Sequence, residues 1–67
     1  MDDATIFVDN YDKKDALKHL KQRMSKGEDV YEILKISPTE TYYVDKLLKG
    51  YGPMSLLIFN RIMSDTN

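Results

Sequence analysis

The stretch "EILKISPTETYYVDKLLKG", residues 32–50, contains two helical patterns separated by a proline. Within it, "SPTE" has the residue order of a helix start, with Ser37 as N-cap, Pro38 at the first helical position and Glu40 three residues after the serine. In such a capping box the serine and glutamate side chains bind backbone N–H groups that the helix leaves unpaired. The sequence therefore predicts a helix that begins at Pro38 and ends at Gly50, since glycine favours left-handed helix ends.

Helical spacing of apolar residues predicts three more helices. The first runs from about Asp12, as its cap, to Lys26, and Gly27 ends it. A short second helix covers residues 28–35, and a fourth begins at Pro53 with "PMSLLIFNRIM". The fourth pattern is apolar on nearly every side, so this helix is either the central element of the core or meets a partner.

An extended arm precedes the helices. "TIFV", residues 5–8, is β-branched and aromatic, which is typical of extended chain. A single strand must lie on the helices or pair with another chain. We therefore expect one small all-α domain of three to four helices over residues 1–67, with a helix-turn-helix-like central pair, an extended N-terminal arm over residues 1–10 and a helical core over residues 11–64.

Composition argues against several classes of function. The chain has no cysteine, so no disulfide or thiolate metal site can form. His19 is the single histidine and lies among lysines, and no nucleophile elbow or glycine-rich phosphate loop is present. No apolar run approaches the ~18 residues of a membrane span, and the chain opens with acidic residues rather than a basic targeting segment. We expect that the protein is not an enzyme and has no catalytic residue, metal, cofactor or small-molecule substrate. We also expect that it does not bind a membrane and that it is located in the cytoplasm.

Charge is distributed unevenly, although the net charge is −1. Residues 1–12 carry four aspartates and no base, whereas residues 13–27 carry six bases and one acid. Lys14, Lys18 and Lys21 follow one another at intervals of four and three residues and therefore share a face of the first predicted helix. Such a row is most often a solvated surface, but it is also a pattern that binds phosphates.

The segment "DVYEILKISPTETYYV" resembles a helix-turn-helix motif, in which a short helix, a tight turn and a longer helix dock on DNA. Two residues depart from the motif: Tyr31 replaces a small residue where the helices cross, and Lys35 stands where glycine usually relaxes the turn. The resemblance implies a small regulatory protein that binds DNA or RNA. The expected phosphate ligands are Lys14, Lys18, Lys21 and Arg23, and the residues expected to approach the nucleic-acid groove are Thr39, Tyr42 and Lys46.

A protein-binding adaptor or inhibitor is the alternative function. Tyrosines are enriched among the residues that dominate protein interfaces. The fourth predicted helix also carries more apolar surface than a small domain readily covers. In this alternative the contacts come from Tyr42, Leu56, Phe59 and Met63, and the partner is another protein or a second copy of the chain in a homodimer. The sequence leaves the nucleic-acid and the protein partner both open.

Overall fold

Four α-helices joined by short connections form the fold. The computed structural model describes residues 2–64. The helices are α1 (Asn10–Ser25), α2 (Val30–Leu34), α3 (Thr41–Leu48) and α4 (Leu56–Met63). α4 packs against both α1 and α2. The predicted small all-α domain is confirmed.

The core is apolar and draws on every helix. Among the described residues no polar or charged side chain is buried. Each fully buried aliphatic side chain contributes about 1.5–3 kcal/mol relative to exposure, so these residues supply most of the driving force for folding. The buried residues are Ala16, Leu17, Leu20, Val30, Ile33, Leu34, Val44, Leu47, Met54, Ile58 and Ile62.

α4 is the central helix, which explains why its sequence is apolar on nearly every side. Ile58 and Ile62 are buried. Phe59 and Met63 are half-buried and pack against the same core, and Leu56 is half-buried at the start of the helix. The three residues of α4 that were expected, together with Tyr42, to contact a partner therefore already have intramolecular neighbours that cover part of each side chain.

The extended arm pairs with the segment that leads into α4. Phe7 and Ser55 form an isolated antiparallel β-bridge. The Val8 N–H donates to the Met54 carbonyl over 3.0 Å. Of the two arrangements that the sequence allowed for the arm, the structure therefore has the one in which the arm lies on its own helices.

Backbone groups of the arm also cap α4. The first N–H groups of a helix have no partner within the helix and need one elsewhere. Here the Leu56 N–H donates to the Ile6 carbonyl over 2.6 Å, and the Leu57 N–H donates to the Asp3 carbonyl over 3.2 Å. The arm thus stabilises the start of the central helix.

The "SPTE" segment is a turn and not a helix start, so the predicted capping box is wrong. α3 begins at Thr41, and its N-cap, Glu40, makes no side-chain capping bond. The Glu40 N–H donates to the Ser37 carbonyl over 2.9 Å, and the Thr39 N–H donates to the Ser37 hydroxyl over 3.2 Å. Ser37 therefore closes a local turn, as short polar side chains often do.

α2 and α3 follow the order of a helix-turn-helix pair, but their connection is longer. Residues 35–40 separate them, which makes six residues instead of the three or four of that motif. Lys35 ends α2 with φ of 57°, so a left-handed residue does stand where the motif usually has glycine. A side chain in that conformation costs roughly 1 kcal/mol or more.

The starts of α1 and α2 also differ from the prediction. Asp9, and not Asp12, caps α1, because its carboxylate accepts the Asp12 N–H over 2.8 Å. Asp29 caps α2 by accepting the Tyr31 N–H over 3.0 Å, so this helix begins at Val30. The first correction replaces Asp12 by Asp9 as the cap, and the second moves the start of the helix from residue 28 to residue 30.

The helix ends were predicted better than the starts. Gly27 follows α1 with φ of 96°, and Gly50 follows α3 with φ of 81°. Glycine occupies this region without steric cost because it has no Cβ. Glycine is a more specific signal of a helix end than serine or aspartate is of a helix start, because serine and aspartate also occur in ordinary turns.

α4 begins at Leu56, three residues after the predicted Pro53, and Ser55 is its cap. The Ser55 hydroxyl accepts a hydrogen bond from the Ile58 N–H over 3.2 Å.

Ser55→Ala should therefore lower the free energy of unfolding by about 1 kcal/mol, the usual cost of a lost N-cap. Ser37→Ala removes the same hydroxyl from a turn and should cost less than about 0.5 kcal/mol. Urea denaturation of both variants measures the two costs, and a larger cost for Ser37→Ala would mean that α3 starts at "SPTE" after all.

Candidate functional site

A groove between α1 and the end of α3 is surrounded by four lysines, and we call it the lysine groove. Lys14, Lys18 and Lys21 border it from α1, and Lys49 borders it from the end of α3. Leu17 and Leu48 form the apolar part of its lining. The sequence predicted the row on α1, and the fold adds the fourth lysine from a distant part of the chain.

The lysine groove favours an anion. All four lysine side chains are exposed, and within residues 2–64 Lys14, Lys18 and Lys21 form no salt bridge. Lys49 pairs with Asp45 over 3.2 Å, but both groups are more than half exposed, and such a pair contributes little. Like charges around one groove repel one another, so a bound anion relieves that repulsion.

Lys46 lies between two exposed tyrosines beside the lysine groove, and we call the three residues the tyrosine–lysine cluster. The Lys46 ammonium is 5.3 Å from the ring centre of Tyr42 and 5.1 Å from that of Tyr51. Both distances are within the range of cation–π attraction. Tyr42 is 74% exposed and Tyr51 is 59% exposed, so most of each residue is open to solvent.

Lys13 connects the cluster to α1. Its ammonium donates to the carbonyl oxygens of Gly50, over 3.0 Å, and Gly52, over 2.9 Å, the two residues that flank Tyr51. These bonds fix the loop that carries Tyr51 next to the helix that carries the lysine row. Sequence reasoning missed this role because the bonded residues are at least 37 positions apart.

Arg23, which the sequence suggested as a phosphate ligand, joins the ends of α1 and α4. Its Nη1 donates to the carbonyl oxygens of Arg61, Ile62 and Ser64 over 3.0–3.3 Å. Its Nη2 pairs with the Glu28 carboxylate over 2.7 Å, and the side chain is only 11% exposed. The guanidinium therefore forms its bonds within the protein, and Arg23 is not among the phosphate ligands that we propose.

Thr39 and the apolar residues of α4 do not line the lysine groove. Thr39 lies in the turn after α2, where its hydroxyl is hydrogen-bonded to that of Ser37 over 2.8 Å. Of the residues expected to approach a nucleic acid on this side, only Tyr42 and Lys46 lie in the cluster beside the groove. Thr39 is therefore bonded within the turn and is not part of the cluster.

A second groove has Ile36, Tyr43 and Ile58 in its lining, together with the polar residues Ser37 and Glu40. Burial raises the pKa of the Tyr43 hydroxyl above its ordinary value, and the positive charge of Arg61 opposes that shift. Tyr43 is therefore uncharged at neutral pH.

Comparisons with known proteins give no identification: no family model, curated protein or solved structure matches the chain. In the part of the chain that the structure describes, no group of histidine, aspartate or glutamate side chains could hold a metal ion. No helix there is long and apolar enough to cross a bilayer. The lysine groove and the tyrosine–lysine cluster are the features on which a function can be proposed.

Arg23→Met should lower the free energy of unfolding by about 2–3 kcal/mol, because charge-assisted hydrogen bonds to α4 and Glu28 are lost. Arg23→Lys should restore little of this, since an ammonium cannot reproduce the planar fork of a guanidinium. Lys26→Met is the matched control, because it removes an exposed cation near the same helix end. Urea denaturation compares the three variants. Equal stability of Arg23→Met and Lys26→Met would show that Arg23 does not hold the helices together.

Proposed function

We propose that the protein binds nucleic acid and that the lysine groove holds its backbone phosphates. The observation that carries this proposal is the convergence of Lys49 with the row formed by Lys14, Lys18 and Lys21. Attraction between lysines and phosphates supplies most of the sequence-independent affinity of nucleic-acid-binding proteins. A local cluster of cations acts on a nearby phosphate even when the net charge of the protein is close to zero.

In this proposal α1 supplies most phosphate contacts and α3 approaches the bases. Tyr42 and Lys46 lie on α3 and remain candidates for base contacts, whereas Thr39 lies in the preceding turn. The order of α2 and α3 supports a helix-turn-helix-like mode of binding. The longer connection between them and the eight-residue α3 depart from that motif, so we propose that the nucleic acid docks through the lysine groove. A small domain of this kind would regulate by occupying its target, in the cytoplasm.

Binding should depend on salt, because each neutralised phosphate releases counterions. The test is fluorescence anisotropy with labelled 20-nucleotide single strands and duplexes at several salt concentrations. Lys14→Gln combined with Lys21→Gln should weaken binding of every sequence and should reduce the slope of log affinity against log salt by roughly 1.4–1.8.

A matched control separates the groove from overall charge. Lys26→Gln combined with Lys35→Gln makes the same change in net charge with two exposed lysines that do not line the lysine groove. This control should leave affinity and salt slope almost unchanged. Equal losses in the two double variants would mean that the groove is not the binding surface, and no binding by the unaltered protein at tens of micromolar would overturn the proposal.

A protein partner is the second candidate, and exposed aromatic side chains favour it. They are Phe7, Tyr11, Tyr42, Tyr43 and Tyr51. An adaptor or inhibitor that used them would keep its affinity in the double lysine variants, because its contacts would be mainly apolar. A homodimer would appear in sedimentation of the purified protein, and its interface would need part of the half-buried surface of Leu56, Phe59 and Met63.

A further inference from the structure

We infer that the nucleic acid is single-stranded and that Tyr42 and Tyr51 stack on its bases. This inference rests on the proposed function and specifies its ligand. The observation behind it is the tyrosine–lysine cluster, in which one ammonium lies within 5.3 Å of two exposed ring centres.

The state of the two rings suits stacking. Each cation–π contact with Lys46 contributes about 0.5–1 kcal/mol at an exposed site, which favours the ring positions in the cluster before a base binds. Most of each ring is exposed, which leaves area for a base. The faces of bases in a duplex are covered by their neighbours, so exposed aromatic rings find partners mainly in single strands.

The cluster and the lysine groove are adjacent along the chain and in space. Lys46 precedes Lys49, a lysine of the groove, by one helical turn. Tyr51 directly follows Gly50, which also lines the groove, and Lys13 ties this loop to α1. A strand whose phosphates lie in the lysine groove therefore has its bases within reach of the two rings. A basic groove flanked by aromatic rings is the usual design of proteins that bind single strands.

The surface of α3 is poorly equipped to read a duplex. Base edges in the major groove are read mainly by arginine, lysine, asparagine and glutamine. In α3 the sequence "TYYVDKLL" offers only Lys46 from this set. These residues favour stacking over recognition of base edges.

Three probes of equal length test the inference by fluorescence anisotropy at low salt. They are a 12-nucleotide oligothymidine, a 12-residue abasic strand with the same phosphates but no bases, and a 12-base-pair duplex. We expect the oligothymidine to bind roughly tenfold more tightly than the abasic strand or the duplex, since base stacking on aromatic rings is worth that much per base or more.

Variants assign the difference to the rings. Tyr42→Ala combined with Tyr51→Ala should lower oligothymidine affinity roughly tenfold or more and should leave affinity for the abasic strand nearly unchanged. Tyr42→Phe combined with Tyr51→Phe should restore binding, because phenylalanine keeps the stacking surface. Phe7→Ala is the control for loss of an exposed aromatic side chain that lies outside the cluster.

The outcomes separate this inference from the proposed function. Equal affinity for oligothymidine and the abasic strand, equal or tighter binding of the duplex, or an unaffected alanine variant would overturn the stacking inference. The lysine-groove proposal would still stand if Lys14→Gln combined with Lys21→Gln weakened binding of all three probes. Failure of every probe to bind at tens of micromolar would overturn both.

Discussion

The backbone groups at both ends of α4 are paired by parts of the chain that are far away in sequence. Carbonyl groups of the arm accept hydrogen bonds from N–H groups at the start of this helix, and Arg23 donates hydrogen bonds to carbonyl groups at its end. An isolated helix of eight residues is unstable in water, since helices shorter than roughly 12–15 residues are marginal on their own. α4 therefore exists because α1, α2 and the arm surround it, and the core forms around the helix that they stabilise.

Seven of the ten cations of the protein fall into two groups with different roles. One group donates to carbonyl oxygens and holds elements together: Lys13 binds the loop after α3, Arg23 binds the end of α4, and Arg61 donates to the Leu34 carbonyl at the end of α2 over 2.9 Å. The other group surrounds the lysine groove. The basic segment of the sequence thus combines cations that hold the fold together with cations that are exposed at its surface.

Local sequence signals predicted which segments form helices but not the first and last residue of every helix. Helical spacing identified four helices, and Gly27 and Gly50 marked two helix ends correctly because a left-handed backbone strongly favours glycine. Ser37 and Ser55 both precede helical patterns, yet only Ser55 caps a helix. The arm pairs beside Ser55 and stabilises the start of α4 there, and no local pattern contains that information.

Part of the candidate site was also predictable from the sequence. The row of Lys14, Lys18 and Lys21 follows from helical periodicity alone. Lys49 and Tyr51 join the site only through the fold, because the bonds from Lys13 bring the end of α3 to α1. The structural role of Arg23 was missed for a related reason: its carbonyl partners are 38 or more residues away.

Amide chemical shifts measured during a titration with a single-stranded 12-nucleotide oligomer test most directly whether the lysine groove is the binding surface. We expect the largest changes in residues 14–21 of α1 and residues 46–51 around the end of α3, with small changes in α2 and in the arm. Changes concentrated in α2, α4 or the arm, or no change at a large excess of the oligomer, would contradict the proposed interface.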